Sequence, residues 1–485
     1  MRRTPSLYAR PLLGLVLAGA ALLILPPLFQ DGMFMDGTMY TAVAHNLAQG
    51  KGSFWYPWFA PHFHGLPSFH ENPPLGYWLT SWAFELGGSS LYAERFYLLV
   101  VLAITIALVV YFWRRLQPTR PESAWFPLLL WLGMPIVFWA YRHNIMENTM
   151  LLFILGAILL QYEALQRKRP PYLAALGAGL LLTGAFLVKG FTGLYPLVLP
   201  ALYWLFYRRP TGRRTLLFML LTIATLLGSL ALLWWHPHTH QSMSYYLVER
   251  TLHRIQEVPT VSSRAFILGV LAQQLIMPAL LAAVAGWGAV WAFGQRKWPL
   301  HWKTFGFLGS LALAGILPLM LTAVQRPFYL QTTTPLLALA VASLVVPVLP
   351  RWQEALGGTK RKRRILRTLA TGLTALSLLL TFQKAGTPKR NADLVHDAHL
   401  LAQRLPAETR LEAPQELAYH WRAKAYLVRY GNLHLLQAQH AGDTPYHIRR
   451  KGAPAPPDGQ VVDYPLRFFT LYKSKRGVSG DSAQR

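Results

Sequence analysis

Phe96-Tyr-Leu-Leu-Val-Val-Leu-Ala-Ile-Thr-Ile-Ala-Leu-Val-Val-Tyr-Phe-Trp113, closed by Arg114-Arg115, is the stretch that decides the fold. An uncharged apolar run of this length matches the ~20 residues that a helix needs to cross about 30 Å of hydrocarbon. The arginine pair at its end has the placement expected of a cytoplasmic loop. Apolar runs of this kind begin near Leu12, Leu91, Ala124, Met146, Tyr172, Gly193, Thr215, Ala265, Thr304, Phe328 and Ile365. They predict a polytopic α-helical membrane protein with about 11 transmembrane helices, in a range of about 11–13.

Composition agrees, because 53% of the 485 residues are apolar and 14% charged, more apolar surface than one globular core hides. The net charge of +27 does not form a stripe on a soluble fold. It lies in short loops, which excludes a nucleic-acid role and sets topology instead. With the N-terminus in the cytoplasm, Arg114-Arg115, Arg167-Lys168-Arg169, Arg208-Arg209, Arg213-Arg214, Arg296-Lys297 and Lys360–Arg364 all fall inside. The opposite loops hold only Lys51, Arg142, Lys189, Arg250, Arg254, Arg264 and Arg326. The first run lacks a small-residue cleavage site and reads as an uncleaved anchor. With no cysteine, neither disulfides nor thiolate–metal sites are available.

Two outside loops are long. The first, about residues 30–90, carries a helical pattern at Tyr40, Val43, Ala44 and Leu47, with Asp36 placed to cap it or to point from its start. A second helix is expected from Pro73-Pro74 to Gly87-Gly88, and both helices should lie along the interface. Asp31, at the span exit, reads as a solvated boundary residue. The other long loop, His236–Arg264, contains His236, His238, His240, Glu249, Arg250, His253 and Arg254. The chain divides into a membrane unit, residues 1–384, and a small C-terminal α/β domain, residues 385–485, which the odd span count places outside. In that domain the pattern predicts helices over Asp393–Leu405 and Gln415–Tyr430 and strands at Arg410–Ala413 and Leu433–Leu436. Gly452–Gly459 reads as a loop and the last dozen or so residues as a disordered tail.

Two first-loop segments carry a resemblance: Gln30-Asp-Gly-Met-Phe-Met-Asp-Gly-Thr-Met-Tyr40 and Phe69-His-Glu-Asn-Pro-Pro-Leu-Gly-Tyr-Trp-Leu79. They resemble the motifs of the GT-C superfamily of glycosyltransferases, in the branch of the protein O-mannosyltransferases and the aminoarabinose transferase of lipid A. Asp36 with Tyr40 matches the first motif, and Glu71 with Pro73, Pro74, Gly76, Tyr77 and Trp78 the second. Weaker likeness extends to Arg142–Glu147, Leu187–Gly190, Glu249-Arg250, and Arg326–Leu330 with Pro335. The resemblance implies a sugar donor on polyprenyl phosphate (undecaprenyl phosphate), a lipid, glycan or protein acceptor, and transfer with inversion at the periplasmic face of a bacterial inner membrane. It also implies an active-site role for Glu147. Asn72 stands where relatives often have lysine, and Gly37 where they have a second acid.

The chemistry requires a base, an anion site and a dry groove. Asp36 is the candidate base for the acceptor hydroxyl, a role worth about 10² to 10⁴ in rate. Glu71 and Glu147 are candidates to shape the donor site beside it. Lys189, Arg250, Arg254 and Arg326 are the cations available to a leaving phosphate. Tyr40, Tyr77, Glu249 and Tyr329 complete the expected substrate contacts. His62, His64, His70, His236, His238 and His240 raise the question of a divalent metal ion, with His70, Asp36 and Glu71 the first ligands to consider. No other cofactor is implied. Phe54, Trp55, Tyr56, Trp58 and Phe59 suit an interfacial belt or a stacking platform. The rival readings are a transporter or flippase of polyprenyl-linked sugars, whose charges should lie near the bilayer midplane, and a non-catalytic scaffold.

Overall fold

The computed structural model describes residues 8–62, 68–252, 259–295 and 298–474. Among the described residues, nine helical stretches are long and apolar enough to cross a membrane. The helix α1 (Ala9–Leu28) finishes on Pro26-Pro27, and α2 (Met35–Ala48) and α3 (Leu75–Gly87) occupy the first loop. The entry to α3 is Pro73-Pro74, and Gly88, at φ 61°, turns the chain out of it. Next come α4 (Ala93–Leu116), the short pair α5 (Trp125–Leu132) and α6 (Pro135–Ala140), α7 (Met146–Leu165), α8 (Tyr172–Lys189) and α9 (Leu199–Tyr207). After α10 (Gly212–Trp234) and α11 (Pro237–Tyr245) the helical unit is completed by α12 (Phe266–Phe293), α13 (Trp302–Ile316), α14 (Thr334–Val345), α15 (Leu349–Gly357) and α16 (Lys360–Lys384).

The runs near Ala124 and Gly193, expected to be spans, are not continuous long helices. Pro135 has no N–H to give and forces Met134 into the extended region, so the first run breaks into α5 and α6. The second opens as two 3-10 turns, Gly190–Gly193 and Tyr195–Val198, before the nine-residue α9. Burial separates centre from rim. In α7 72% of the apolar window is inside the protein, against 6% in α16, so α7 is a core helix and α16 presents nearly its whole surface outward while packing on α1. Some polar groups inside the bundle pair with one another: Trp131 Nε1 donates to Thr334 Oγ1 at 3.0 Å, and Gln331 Nε2 to Asn148 Oδ1 at 3.2 Å.

The C-terminal domain holds α17 (Ala392–Arg404), α18 (Gln415–Ala418), α19 (Trp421–Gly431) and α20 (Ala438–Ala441) against a five-stranded sheet. Its strands are β1 (Arg410–Glu412), β2 (His434–Leu436), β3 (Tyr446–Arg450), β4 (Gly459–Val462) and β5 (Phe469–Ser474), in the order β2-β1-β3-β5-β4. The β1 strand runs parallel to β2 and β3, while β3, β5 and β4 are antiparallel. The expected helix over Gln415–Tyr430 is two helices, broken at Tyr419-His420. The last residues, expected to be a tail, lie outside the described residues.

This domain sits on the first loop, with α19 along α2. Tyr426 Oη accepts from Met33 N at 3.0 Å, and Arg429 Nη2 meets the buried Glu94 carboxylate at 3.0 Å and the Ser90 carbonyl at 2.8 Å. Asp31 is not the solvated boundary residue that its position at a span exit suggested: it is 1% exposed. Its Oδ2 lies 2.6 Å from His399 Nε2 and its Oδ1 accepts from Tyr430 Oη, both from the C-terminal domain. Burial alone would raise the Asp31 pKa; the His399 and Tyr430 hydrogen bonds and the His399 and Arg95 charges outweigh it and hold the pKa below 3.8.

Candidate active site

Six elements converge on one cavity of about 130 Å³: the first turn of α2, the segment before α3, the end of α8, the 3-10 turn Pro327–Thr332, and the start of α19, with α7 behind them. Asp36, Tyr40, Glu71, Asn72, Lys189 and Tyr329 face it, and Trp421 closes it from the C-terminal domain. Of these, Asp36, Glu71 and Lys189 are the residues expected from the sequence as candidate base, donor-site carboxylate and phosphate-binding cation.

Asp36 is not the cap of α2. The helix begins one residue earlier, with Phe34 as the capping residue, so Asp36 stands inside the first turn, where the helix dipole favours a carboxylate. Phe34 N donates to His143 Nδ1 at 3.1 Å, and Asn144 Nδ2 donates to Thr41 Oγ1 at 3.1 Å, which ties this turn to the segment leading into α7.

Glu147, in the first turn of α7, is 1% exposed and forms an ion pair with Lys189 at 2.6 Å. Its partner is therefore neither Arg142 nor His143, its two neighbours in sequence. Oε2 of Glu147 is buried and makes no hydrogen bond among the described residues. Lys189 also lies 5.5 Å from the ring centre of Phe328 and 5.3 Å from that of Tyr329. The Lys189 ammonium thus has a buried counter-ion on one side and the cavity on the other.

Asn72 occupies a wall of the cavity and donates to Tyr77 Oη at 3.1 Å. Tyr77 stacks edge-on with Tyr40 at 5.6 Å and with Phe69 at 5.7 Å. Burial raises the pKa of both tyrosines, so both hydroxyls stay neutral, and only Tyr40 lines the cavity. Tyr77 supports the wall from behind and is fully buried.

Several expected members are elsewhere. Arg326 is exposed before the Pro327–Thr332 turn, and Glu249 is exposed on the π-helical turn Tyr246–Leu252. Arg250 lies on that turn with its side chain outside the description, and Arg254, His64 and His253 lie outside the described residues. No three His, Cys, Asp or Glu groups come together to hold a metal ion among the described residues. The expected set of Asp36, Glu71 and His70 is not assembled, because His70 is turned away to Ser68 Oγ at 2.7 Å and Ser242 Oγ at 3.2 Å. Burial lowers the His70 pKa to about 4. His236, His238 and His240 stand at the start of a helix rather than on one face of a strand.

Two site residues escaped the sequence. Tyr246 Oη donates to the Lys189 carbonyl at 3.3 Å and fixes the end of α8. Gly190, at φ 75°, gives the signal, since a Cβ there would stand 2.0 Å from Tyr246 Oη. Trp421 had no motif around it.

Residues 71–235 match the family described as dolichyl-phosphate-mannose-protein mannosyltransferase. Undecaprenyl phosphate-alpha-4-amino-4-deoxy-L-arabinose arabinosyl transferase 2 of Pseudomonas fluorescens is 23% identical over 389 residues, 78% of this chain and 63% of the relative. The corresponding transferase of Aeromonas salmonicida is 30% identical over 158 residues, 31% of this chain and 28% of its own length. The match thus spans less than two thirds of these relatives. The crystal structure of ArnT from Cupriavidus metallidurans bound to undecaprenyl phosphate superposes with a TM-score of 0.63 at 15% identity, over 96% of this chain and 99% of that one. The archaeal oligosaccharyltransferase AglB from Archaeoglobus fulgidus, in complex with an inhibitory peptide and a dolichol-phosphate, gives 0.50 at 12% identity over 92% and 69%. The chain is a multi-pass membrane protein that shares the fold of ArnT from Cupriavidus metallidurans. Its sequence likeness is to the aminoarabinose transferases.

Proposed function

We propose that this protein is a glycosyltransferase of the bacterial inner membrane that moves a sugar from polyprenyl phosphate, of the undecaprenyl type, to a lipid, glycan or protein acceptor at the periplasmic face. The observation that carries the reading is the cavity itself: Asp36, Glu71 and the Glu147-paired Lys189 meet in one small space where the ends of long apolar helices give way to loops. Residues 1–384 are the catalytic unit in this reading, and residues 385–485 a periplasmic domain that covers it. The topology has the N-terminus in the cytoplasm.

In an inverting transfer the acceptor oxygen forms a bond to the anomeric carbon while Asp36 takes its proton. The bond from that carbon to the phosphate oxygen breaks, and the electron pair leaves with the phosphate. Lys189 receives the growing charge. Glu147 holds the ammonium in place, and the remaining N–H donors point at the developing oxyanion. Glu71, Asn72 and Tyr40 offer an acceptor and donors to the sugar hydroxyls, and Tyr329 flanks the phosphate side. A transporter would carry its ionisable groups near the midplane; the buried pair here stands at the first turn of α7, at a span end.

The test is transfer in proteoliposomes, with radiolabelled polyprenyl-phosphate sugars and a membrane-lipid extract. Wild type moves label to a new product, and folded Asp36→Asn loses about 10² or more of the rate. Carrier movement across the bilayer without a glycosylated product would overturn the reading in favour of a flippase.

A further inference from the structure

A second cavity, of about 270 Å³, is lined by Asp31 and Gly32 and shares no lining residue with the catalytic cavity. Its walls are the end of α1 with Gln30, the turn Arg142-His143 before α7, and Lys389-Arg390 in the linker to the C-terminal domain. Three cations, Arg142, Lys389 and Arg390, border it, and among the described residues none of them is ion-paired with a carboxylate.

Asp31 is the carboxylate at this cavity, and its oxygens are already engaged: Oδ1 by Tyr430 and by Gly32 N, and Oδ2 by His399. The Nδ1 of His143 accepts from Phe34 N, which leaves the proton of its neutral ring on Nε2, a further donor. Burial first, and then the charges of Arg390, Arg95 and Arg142, lower the His143 pKa to about 3. Arg142 Nε is buried without a hydrogen-bond partner, and its guanidinium lies 5.3 Å from the Phe138 ring centre.

The cations are held by backbone geometry. Lys389 N donates to Asp31 O at 3.2 Å, and Gly32, at φ 83°, comes so close to the linker that a Cβ would stand 2.3 Å from the Arg390 carbonyl. Like charges held together in this way, with the one carboxylate at the cavity already engaged by Tyr430, His399 and Gly32 N, favour an anion between them. Two guanidinium forks and an ammonium suit tetrahedral phosphate oxygens better than a single carboxylate.

We propose that this cavity is a binding site for a phosphate-class anion, a phosphoryl group either free or on a lipid headgroup, distinct from the leaving-phosphate position at Lys189. It stands on its own geometry and does not depend on the transferase reading. Because Arg390 lies 5.5 Å from the ring of Phe34, the cap of α2, an occupant bonded to Arg390 also holds the linker against the start of the catalytic helix.

The experiment uses the full chain in nanodiscs. Inorganic phosphate is titrated calorimetrically in phosphatidylcholine discs, and headgroup retention is counted by native mass spectrometry from discs of phosphatidylglycerol against phosphatidylcholine. Lys389→Gln with Arg390→Gln, in an exposed linker, should leave the melting midpoint unchanged and weaken binding by about tenfold or more, as expected for losing charge-assisted bonds. The charge-matched control Lys168→Gln with Arg169→Gln, on a loop predicted to face the cytoplasm, should leave binding as in wild type. Binding of phosphate identifies a free ion, and retention of phosphatidylglycerol alone identifies a headgroup; either outcome, lost in the linker variant, supports the site. If neither probe binds, or the linker variant binds like wild type, the proposal fails whether or not the enzyme transfers sugar.

Discussion

Replacing Glu147 by glutamine should cost stability and activity separately, and the pair geometry fixes both. At 2.6 Å, with Glu147 1% and Lys189 10% exposed, the Coulomb attraction is about 6 kcal/mol at an effective dielectric of ~20. Desolvation of the two ions offsets much of this, yet removing one partner leaves the other buried and uncompensated, a loss of about 3–5 kcal/mol. Glu147→Gln keeps the shape and strands Lys189, so the thermal midpoint in detergent should drop steeply. Glu147→Gln with Lys189→Met removes both charges and should recover most of that stability, since a well-packed apolar replacement of a buried pair is often neutral. It should not recover transfer, because the phosphate then meets no cation; the expected loss is about 10² or more in kcat. The assay is a double-mutant cycle with melting and proteoliposome transfer read on the same samples. A double variant as active as wild type would refute the phosphate role of Lys189, and a Glu147→Gln variant with unchanged stability would refute the uncompensated-charge argument.

Three further outcomes follow from the geometry. Gly190→Ala puts a Cβ onto Tyr246 Oη and an L-residue at φ 75°, a cost of about 1–2 kcal/mol, and should lower kcat through the end of α8, while Tyr246→Phe lowers kcat with a smaller fall in melting midpoint. The native pKa of Asp31 is below its unfolded value of 3.8, so the stability it contributes is full above that value and lost as the pH falls through the lowered native pKa; hydrogen exchange at α19 should rise under acid, and Asp31→Asn should show that exchange already at neutral pH. Trp421→Ala opens the cavity from the C-terminal side and should raise KM for donor or acceptor several-fold with the protein still folded, which steady-state kinetics would read.

The membrane fold was legible because hydrocarbon imposes a length and a composition that few other environments require. Loop charges of the Arg114-Arg115 kind added the expected orientation. The two runs that proved discontinuous, near Ala124 and Gly193, show the limit of that signal: hydropathy counts Pro135, Pro196 and Pro200 as mild residues, while backbone hydrogen bonding treats them as breaks. Asp36, Glu71 and Lys189, which line one cavity, were singled out from motif and from the scarcity of outside cations. The Glu147–Lys189 pairing was not, since the two residues lie on different helices and nothing local to Glu147 favours Lys189 over Arg142. The sheet was half seen. Leu411 and Leu435 mark β1 and β2 by burial, whereas β3 to β5 alternate with charged residues such as Arg449 and Lys473 and look like polar loop.

The least legible feature, the seat of the C-terminal domain, decides how the site is closed. Its charged contacts with the membrane unit include an exposed pair, Lys51 with Glu408, and buried ones, Arg429 with Glu94 and His399 and Tyr430 with Asp31. Such contacts contribute little when exposed and cost heavily when half broken, so the domain is held in one position or released, with little between. Trp421 rides on the same helix as Tyr426, Arg429 and Tyr430. A substrate that enters the cavity therefore works against the whole latch and not against one side chain, and the opening of the site and the freeing of Asp31 become one event. Reading hydrogen exchange at α19 and transfer on the same Asp31→Asn sample decides it: faster exchange with a lower KM supports a coupled lid, and faster exchange with unchanged kinetics dissociates the latch from the site.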